Sequence, residues 1–212
     1  MTHTLLARAR VPALVLAVGL TLAACGADDD AGHDMDGMSG AGGASSSDAP
    51  SGTGEDSPAN AADVMFAQMM LPHHEQAIEM SDTLLTKEGV SPELVDLAEQ
   101  IKAAQGPEID TLTGWLDDWG ADPGAGAGSG HGDHGMAGMM SPEDLQALED
   151  ATGTDAERLF LEQMVAHHEG AVEMAQAEVS GGAHAGAVAM AQAVVDTQTA
   201  EIQQMRDLLA SR

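Results

Sequence analysis

The chain has 212 residues with 35 Asp and Glu against 7 Lys and Arg, a formal charge of −28 that excludes nucleic acid and anionic lipid headgroups as electrostatic partners and favours cations. A single cysteine, Cys25, excludes an internal disulfide, and once it is lipidated no thiolate remains for an iron–sulfur cluster or a blue-copper site. There is no Tyr, only two Phe, and no run that alternates with period two, so the expected fold is all-α.

In chain order, His3, Arg8 and Arg10 precede an apolar run from Val11 to Leu22, too short for a permanent transmembrane helix, that ends in Leu22-Ala23-Ala24-Cys25. That ending resembles the lipobox of bacterial lipoproteins. The resemblance implies a signal peptide over residues 1–24, lipidation of Cys25, and a chain anchored to the bilayer on the extracytoplasmic side. Residues 25–59 are rich in Gly, Ser, Ala and Asp and read as a disordered tether, within which His33, Met35 and Met38 are candidate accessory metal ligands.

Residues 60–212 read as one helical domain. The first helix is expected from about Asn60 to Thr86 and the second from about Ser91 to Trp119, with Pro72 and Pro107 kinking them. A flexible loop over residues 120–141 follows, carrying His131, His134, Met136, Met139 and Met140 as further accessory metal ligands, because these thioethers have no core nearby to pack on. The third helix is expected from Ser141, with a break near Gly153, to about Val179, and the fourth from about Ala183 to Ala210.

The helices repeat. Phe66-x-x-x-Met70-x-x-His73-His74-Glu75-x-Ala77-x-Glu79-Met80 returns as Phe160-x-x-x-Met164-x-x-His167-His168-Glu169-x-Ala171-x-Glu173-Met174. Gln105-x-x-Glu108-Ile109 returns as Gln198-x-x-Glu201-Ile202. A tandem duplication of a helical hairpin cannot bury its apolar stripe alone, so the two copies should pair into a four-helix bundle with an up-down-up-down course.

At 100° per residue, Phe66, Met70, His74, Ala77 and Ile78 share one face of the first helix, with His73 and Met80 at its edge and Glu75 and Glu79 pointing away. The third helix repeats this with Met164 and His168 inside, His167 and Met174 at the edge, and Glu169 and Glu173 outside. On the second and fourth helices Glu108 and Glu201 fall on the buried stripe. An inward carboxylate is costly unless paired, and a carboxylate bonded to the free nitrogen of an imidazole is a common way of holding a metal-bound histidine. Imidazole and thioether together suit copper, the thioether favouring Cu(I). The candidate metal ligands are therefore Met70, His73, His74, Met80, Met164, His167, His168 and Met174, with Glu108 and Glu201 supporting them. Adjacent histidines on one helix diverge by about 100°, so a site needs ligands from another helix, and the two copies are placed to supply them.

The doubled His-His-Glu-x-x-x-Glu-Met motif, each copy followed by Gln-x-x-Glu-Ile, resembles the bacterial family catalogued as domain of unknown function 305. The resemblance spans about residues 60–211. It implies a ferritin-like four-helix bundle and, since the family includes periplasmic copper-binding members, a protein that binds or buffers copper and exchanges it with a transfer partner, without enzymatic activity. Two other readings stay open. A ferritin-like di-iron protein would need Glu where position 70 is Met. A metal-free bundle would bind another envelope protein, its His–Glu pairs being structural and its methionines core packing.

Overall fold

The computed structural model describes residues 58–125 and 137–212. Residues 1–57, which include the expected signal segment, Cys25, His33, Met35 and Met38, lie outside the described residues, as do His131, His134 and Met136. The described chain is all-helical, with α1 over Ala61–Leu85, α2 over Pro92–Asp118, α3 over Pro142–Asp150, α4 over Gly153–Gly181 and α5 over Ala185–Ala210. Among the described residues no helix is long and apolar enough to cross a membrane.

Helix starts follow local chemistry. Asn60 caps α1 in a reciprocal box with Asp63, and Ser141 caps α3 with Asp144, each pair satisfying backbone N–H groups that have no partner within the helix. Pro92 opens α2 at a position where its missing N–H costs nothing. The expected third helix is two: Ala151 and Thr152 are extended and Gly153 has φ +55°, a conformation open to glycine, so α3 stops and α4 starts in a new direction. Pro72 and Pro107 lie within α1 and α2, which continue through both.

The two hairpins are antiparallel, as His74–Glu108 and Asp82–Lys102 pair α1 with α2 and His168–Glu201 and Glu169–Arg206 pair α4 with α5. The course of the whole differs from the expected up-down-up-down. Asn60 Nδ2 at the start of α1 donates to the Gly181 carbonyl at the end of α4 at 2.9 Å, so α1 and α4 are antiparallel. Ser91 N at the start of α2 donates to Glu157 Oε1 near the start of α4 at 2.5 Å, so α2 and α4 are parallel. The order is up, down, down, up, which needs one connection that travels the length of the assembly.

Residues 137–151 form its described part and run alongside α1: Ala137 meets His73, Met140 meets Gln76 and Ala151 meets Lys87, at one constant sequence separation of 64. Leu148 of α3 is fully buried with Leu84 and Phe160. The inner pair is α1 and α4, with α2 against α1 and α5 against α4.

The interior is two apolar clusters with a polar stratum between them. One holds Met80, Leu84, Leu97, Ile101, Phe160, Met164 and Met205, the other Phe66, Met70, Leu112, Leu116, Met174 and Val194. Every helix of the two hairpins crosses from one cluster to the other through His or Gln: His73 and His74 on α1, Gln105 on α2, His167 and His168 on α4, Gln198 on α5, all at most 3% exposed.

The ends are tied by repeat-related carboxylates. Asp63 accepts the backbone N–H groups of Ala183 and His184 at 3.0 and 2.9 Å, and Glu157 accepts that of Ser91 and pairs with Arg212. Burial raises the Asp63 pKa, but the N–H groups of Asn60, His184 and Ala183 outweigh it and hold the carboxyl below its usual range.

Candidate metal centre

Helix periodicity delivers the four histidines to the middle of the inner helix pair, and packing removes them from water: His73, His74 and His168 are fully buried and His167 is 1% exposed. His73 and His167, expected at the edge of their helical faces, are as deep as their neighbours. The reason is that α1 and α4 face each other, so the edge of one face is covered by the other helix. Met70, Met80 and Met164 are fully buried and Met174 is 6% exposed. Met80 and Met174, also expected at the edge, are enclosed for the same reason. Glu75, Glu79, Glu169 and Glu173 point to solvent as expected.

His74 and His168 make the same bond in each repeat. His74 Nε2 lies 2.8 Å from Glu108 Oε2, and His168 Nε2 lies 2.7 Å from Glu201 Oε2. A carboxylate can only accept, so Nε2 carries the proton and donates. Nδ1 of each ring is buried and has no partner. The two glutamates differ in exposure, the Glu108 side chain at 24% and that of Glu201 at 9%.

His73 and His167 meet across the repeat axis with ring centroids 3.7 Å apart and planes tilted by 38°. His73 Nε2 donates to the Ala137 carbonyl at 3.2 Å, leaving its Nδ1 unpartnered, while neither nitrogen of His167 has a partner. Burial, reinforced by the neighbouring His74 imidazole, pulls the His73 pKa down to about 3. Burial and the charge His73 would carry depress that of His167 well below its ordinary value. Both rings are therefore neutral at physiological pH, with lone pairs available and no proton to displace.

The sequence did not announce the strap that covers this pair. Gln76 grips the backbone of Met140 with two bonds, its Nε2 donating to Met140 O at 3.0 Å and its Oε1 accepting from Met140 N at 2.7 Å. Gly138, at φ +79°, lies so close to α4 that a Cβ there would stand 2.6 Å from the Ala166 carbonyl oxygen and 2.9 Å from that of His167. Gly170 gives the strap room on the other side, since a Cβ at that position would collide with the Ala137 carbonyl. Gln76 and Gly170 are equivalent positions of the two repeats, and a glycine inside a helix, which costs about 1 kcal/mol relative to Ala, was the available signal. Met140 is corrected by the same geometry: expected to be unpacked in a flexible loop, it rests partly buried on the core. Met139 is half-buried.

Among the described residues no three His, Cys, Asp or Glu side chains are grouped so as to hold a metal ion. With Nε2 of His74 and His168 committed to carboxylates, what the stratum offers is lone pairs on Nδ1, the wholly free His167, and buried thioethers in the flanking clusters. That donor chemistry fits a soft or borderline ion held by mixed imidazole and thioether ligands and does not fit a carboxylate-rich di-iron site.

A family model described as "Domain of unknown function (DUF305)" matches residues 63–209. No curated protein matches in sequence. Among solved structures, a DUF305 protein from Streptomyces coelicolor shares 33% identity over 71% of this chain and 91% of its own, with a TM-score of 0.65. A DUF305 fragment from Deinococcus radiodurans shares 31% over 73% and 99%, TM-score 0.65. CopM, solved in a Cu(II)-bound form, shares 32% over 70% and 96%, TM-score 0.60. CopM in the Cu(I)-bound form shares 30% over 70% and 96%, TM-score 0.59.

The metal-free protein should keep His73 and His167 neutral well into acid. Their folded pKa values lie below the unfolded value near 6.5, so below that pH the unfolded chain takes up protons that the native state refuses. The contribution of His73 to stability is complete above about pH 6.5 and is lost as pH falls toward 3, at about 1.4 kcal/mol per pH unit, and His167 acts in the same direction. Imidazole ¹⁵N spectra should show both rings unchanged between pH 7 and pH 5 and His74 and His168 as the Nε2–H tautomer; titration of either His73 or His167 near 6.5 would contradict the burial.

Proposed function

Because the chain belongs to the DUF305 family, we propose that it binds copper, holding or buffering the ion through the imidazoles and thioethers of the polar stratum, in a ferritin-like four-helix bundle. The observation that supports this most is the set of buried imidazole nitrogens without partners. Nδ1 of His73, His74, His167 and His168 and Nε2 of His167 all lack a hydrogen bond in a dry interior. An unsatisfied buried polar atom costs about 1–3 kcal/mol, and since neutral His167 keeps a proton on one nitrogen, the four remaining lone pairs in the stratum are a standing penalty that a bound cation relieves. Glu108 and Glu201 orient His74 and His168 so that Nδ1 is the ligand nitrogen. The thioethers of Met70, Met80, Met164 and Met174 complete the donor set, and their softness favours Cu(I). The copper-bound forms of CopM, at about one-third identity, support the choice of metal.

The reading extends to the cell. The protein is exported and tethered outside the cytoplasm through lipidated Cys25, the His/Met tracts at His33, Met35 and Met38 and at His131, His134, Met136, Met139 and Met140 gather copper, and a transfer partner exchanges it; no catalysis is involved.

Replacing His73 and His74 by Ala should remove most of the tight Cu(I) binding, as should replacing His167 and His168. The quadruple variant should lose little beyond either pair, because one shared centre gives non-additive losses where independent sites would add. Competition against a Cu(I) chelator measures this, with circular dichroism checking that each variant stays helical; full affinity in the folded quadruple variant would leave the metal-free bundle as the better reading. Cys25→Ser should move the processed protein from the membrane fraction to the soluble one, and a variant that stays wholly with membranes would refute the lipid anchor.

A further inference from the structure

Among the methionines, Met65 is left outside the packed core. Met65 is 59% exposed, one of two large hydrophobic side chains left open among the described residues, and Met69 one turn along is half-buried. They stand at i and i+4 on α1 and therefore on one face. Opposite, on the antiparallel α4, Met174 and Glu178 hold the same spacing. The four side chains, with Ala62, Phe66 and Ala177, line a cleft of about 70 Å³ between the two helices. That volume is roughly two waters' share of the liquid, room for an ion with its ligands but not for an organic molecule.

The cleft belongs to one repeat alone. At the repeat-equivalent positions of Met65 and Met69 stand Leu159 and Gln163, and at that of Glu178 stands Leu84. The thioethers are thus no by-product of the duplicated motif, and a position that required only a hydrophobe has Leu in the other copy.

The cleft is continuous with the interior. Met174 and Met70, the neighbour of Met69, lie in the same buried cluster, and Met174 is two turns from His167 on the same side of α4, about 10 Å along its axis. Glu178 and Asp63 face each other at this end of the helix pair, and burial with the neighbouring Asp63 carboxylate raises the Glu178 pKa to about 8, so this 2% exposed carboxyl is protonated at neutral pH.

We propose that the cleft formed by Met65, Met69 and Met174, the last shared with the donor set of the histidine stratum, is a second, solvent-accessible thioether site for a soft monovalent cation, Cu(I), from which the ion passes inward past Met70 to that stratum. Three thioethers are a donor set that soft Cu(I) accepts and that hard or borderline divalent ions do not. The identity of the ion rests on the function proposed above; the existence of the site does not.

Silver(I), a soft monovalent ion that undergoes no redox change here, is the probe. In the folded protein labelled with [methyl-¹³C]methionine, Ag(I) should shift the methyl signals of Met65, Met69 and Met174 together. Met65→Leu with Met69→Leu, a near volume-conserving change at the protein surface, should bind one fewer silver ion by native mass spectrometry. Unmoved signals at saturating silver, or an unchanged stoichiometry in the double variant, would overturn the site. The variant with His73, His74, His167 and His168 all changed to Ala separates the two proposals. It should retain the three methyl shifts, and their loss while the helices stay folded would also overturn an independent cleft. If the methyl signals move and the imidazole signals of the wild-type protein never do, the cleft stands and the histidine centre falls.

Discussion

Four imidazoles have to be carried through the middle of a dry helical interior, and the rest of the structure is organised around how their nitrogens are and are not satisfied. Glu108 and Glu201 take one nitrogen of His74 and His168, and the Ala137 carbonyl takes one of His73. The others are left without partners. Two apolar clusters on either side supply the burial that holds the helices together, at about 25 cal/mol per Å² removed from water, and they also exclude the water that would otherwise satisfy those nitrogens. A stratum that served packing alone would be cheaper as Leu and Ile, since apolar replacement of buried polar groups is neutral or stabilising.

The duplication supplies the stratum. Equivalent positions in the two repeats make the same bond, His74 to Glu108 and His168 to Glu201, and the same tie at the ends, Asp63 to the start of α5 and Glu157 to the start of α2. Where the repeats diverge, the differences serve one face. Gln76 anchors the strap and its counterpart Gly170 lets it approach, while Met65 and Met69 open a thioether cleft where the second copy has Leu159 and Gln163.

Much of this was legible in the sequence because helices report their faces through spacing. The helix starts near Asn60, Ser91 and Ser141, the break at Gly153, the outward Glu75 and Glu169, and the pairing of the inward histidines with Glu108 and Glu201 all follow from local start signals, periodicity and the cost of a buried carboxylate. What periodicity cannot reach is how helices are ordered in space. The direction of α4 is set by where residues 137–151 lie, and their course is fixed by contacts 64 residues apart that leave no periodic trace. His73, Met80, His167 and Met174 looked peripheral on isolated helices and are enclosed because α1 and α4 face each other. Glycine at position 170 was visible, but its purpose depends on a strap that only the fold brings there.

The central claim is that the unsatisfied imidazoles of the two repeats together hold one metal ion. Crystals of the copper-loaded protein, measured at the copper absorption edge, test it most directly through the anomalous difference map. The account predicts a copper peak within the polar stratum, bonded to at least one histidine nitrogen from each repeat. Copper found only at surface methionines, with His73, His74, His167 and His168 unchanged around an empty stratum, would contradict it.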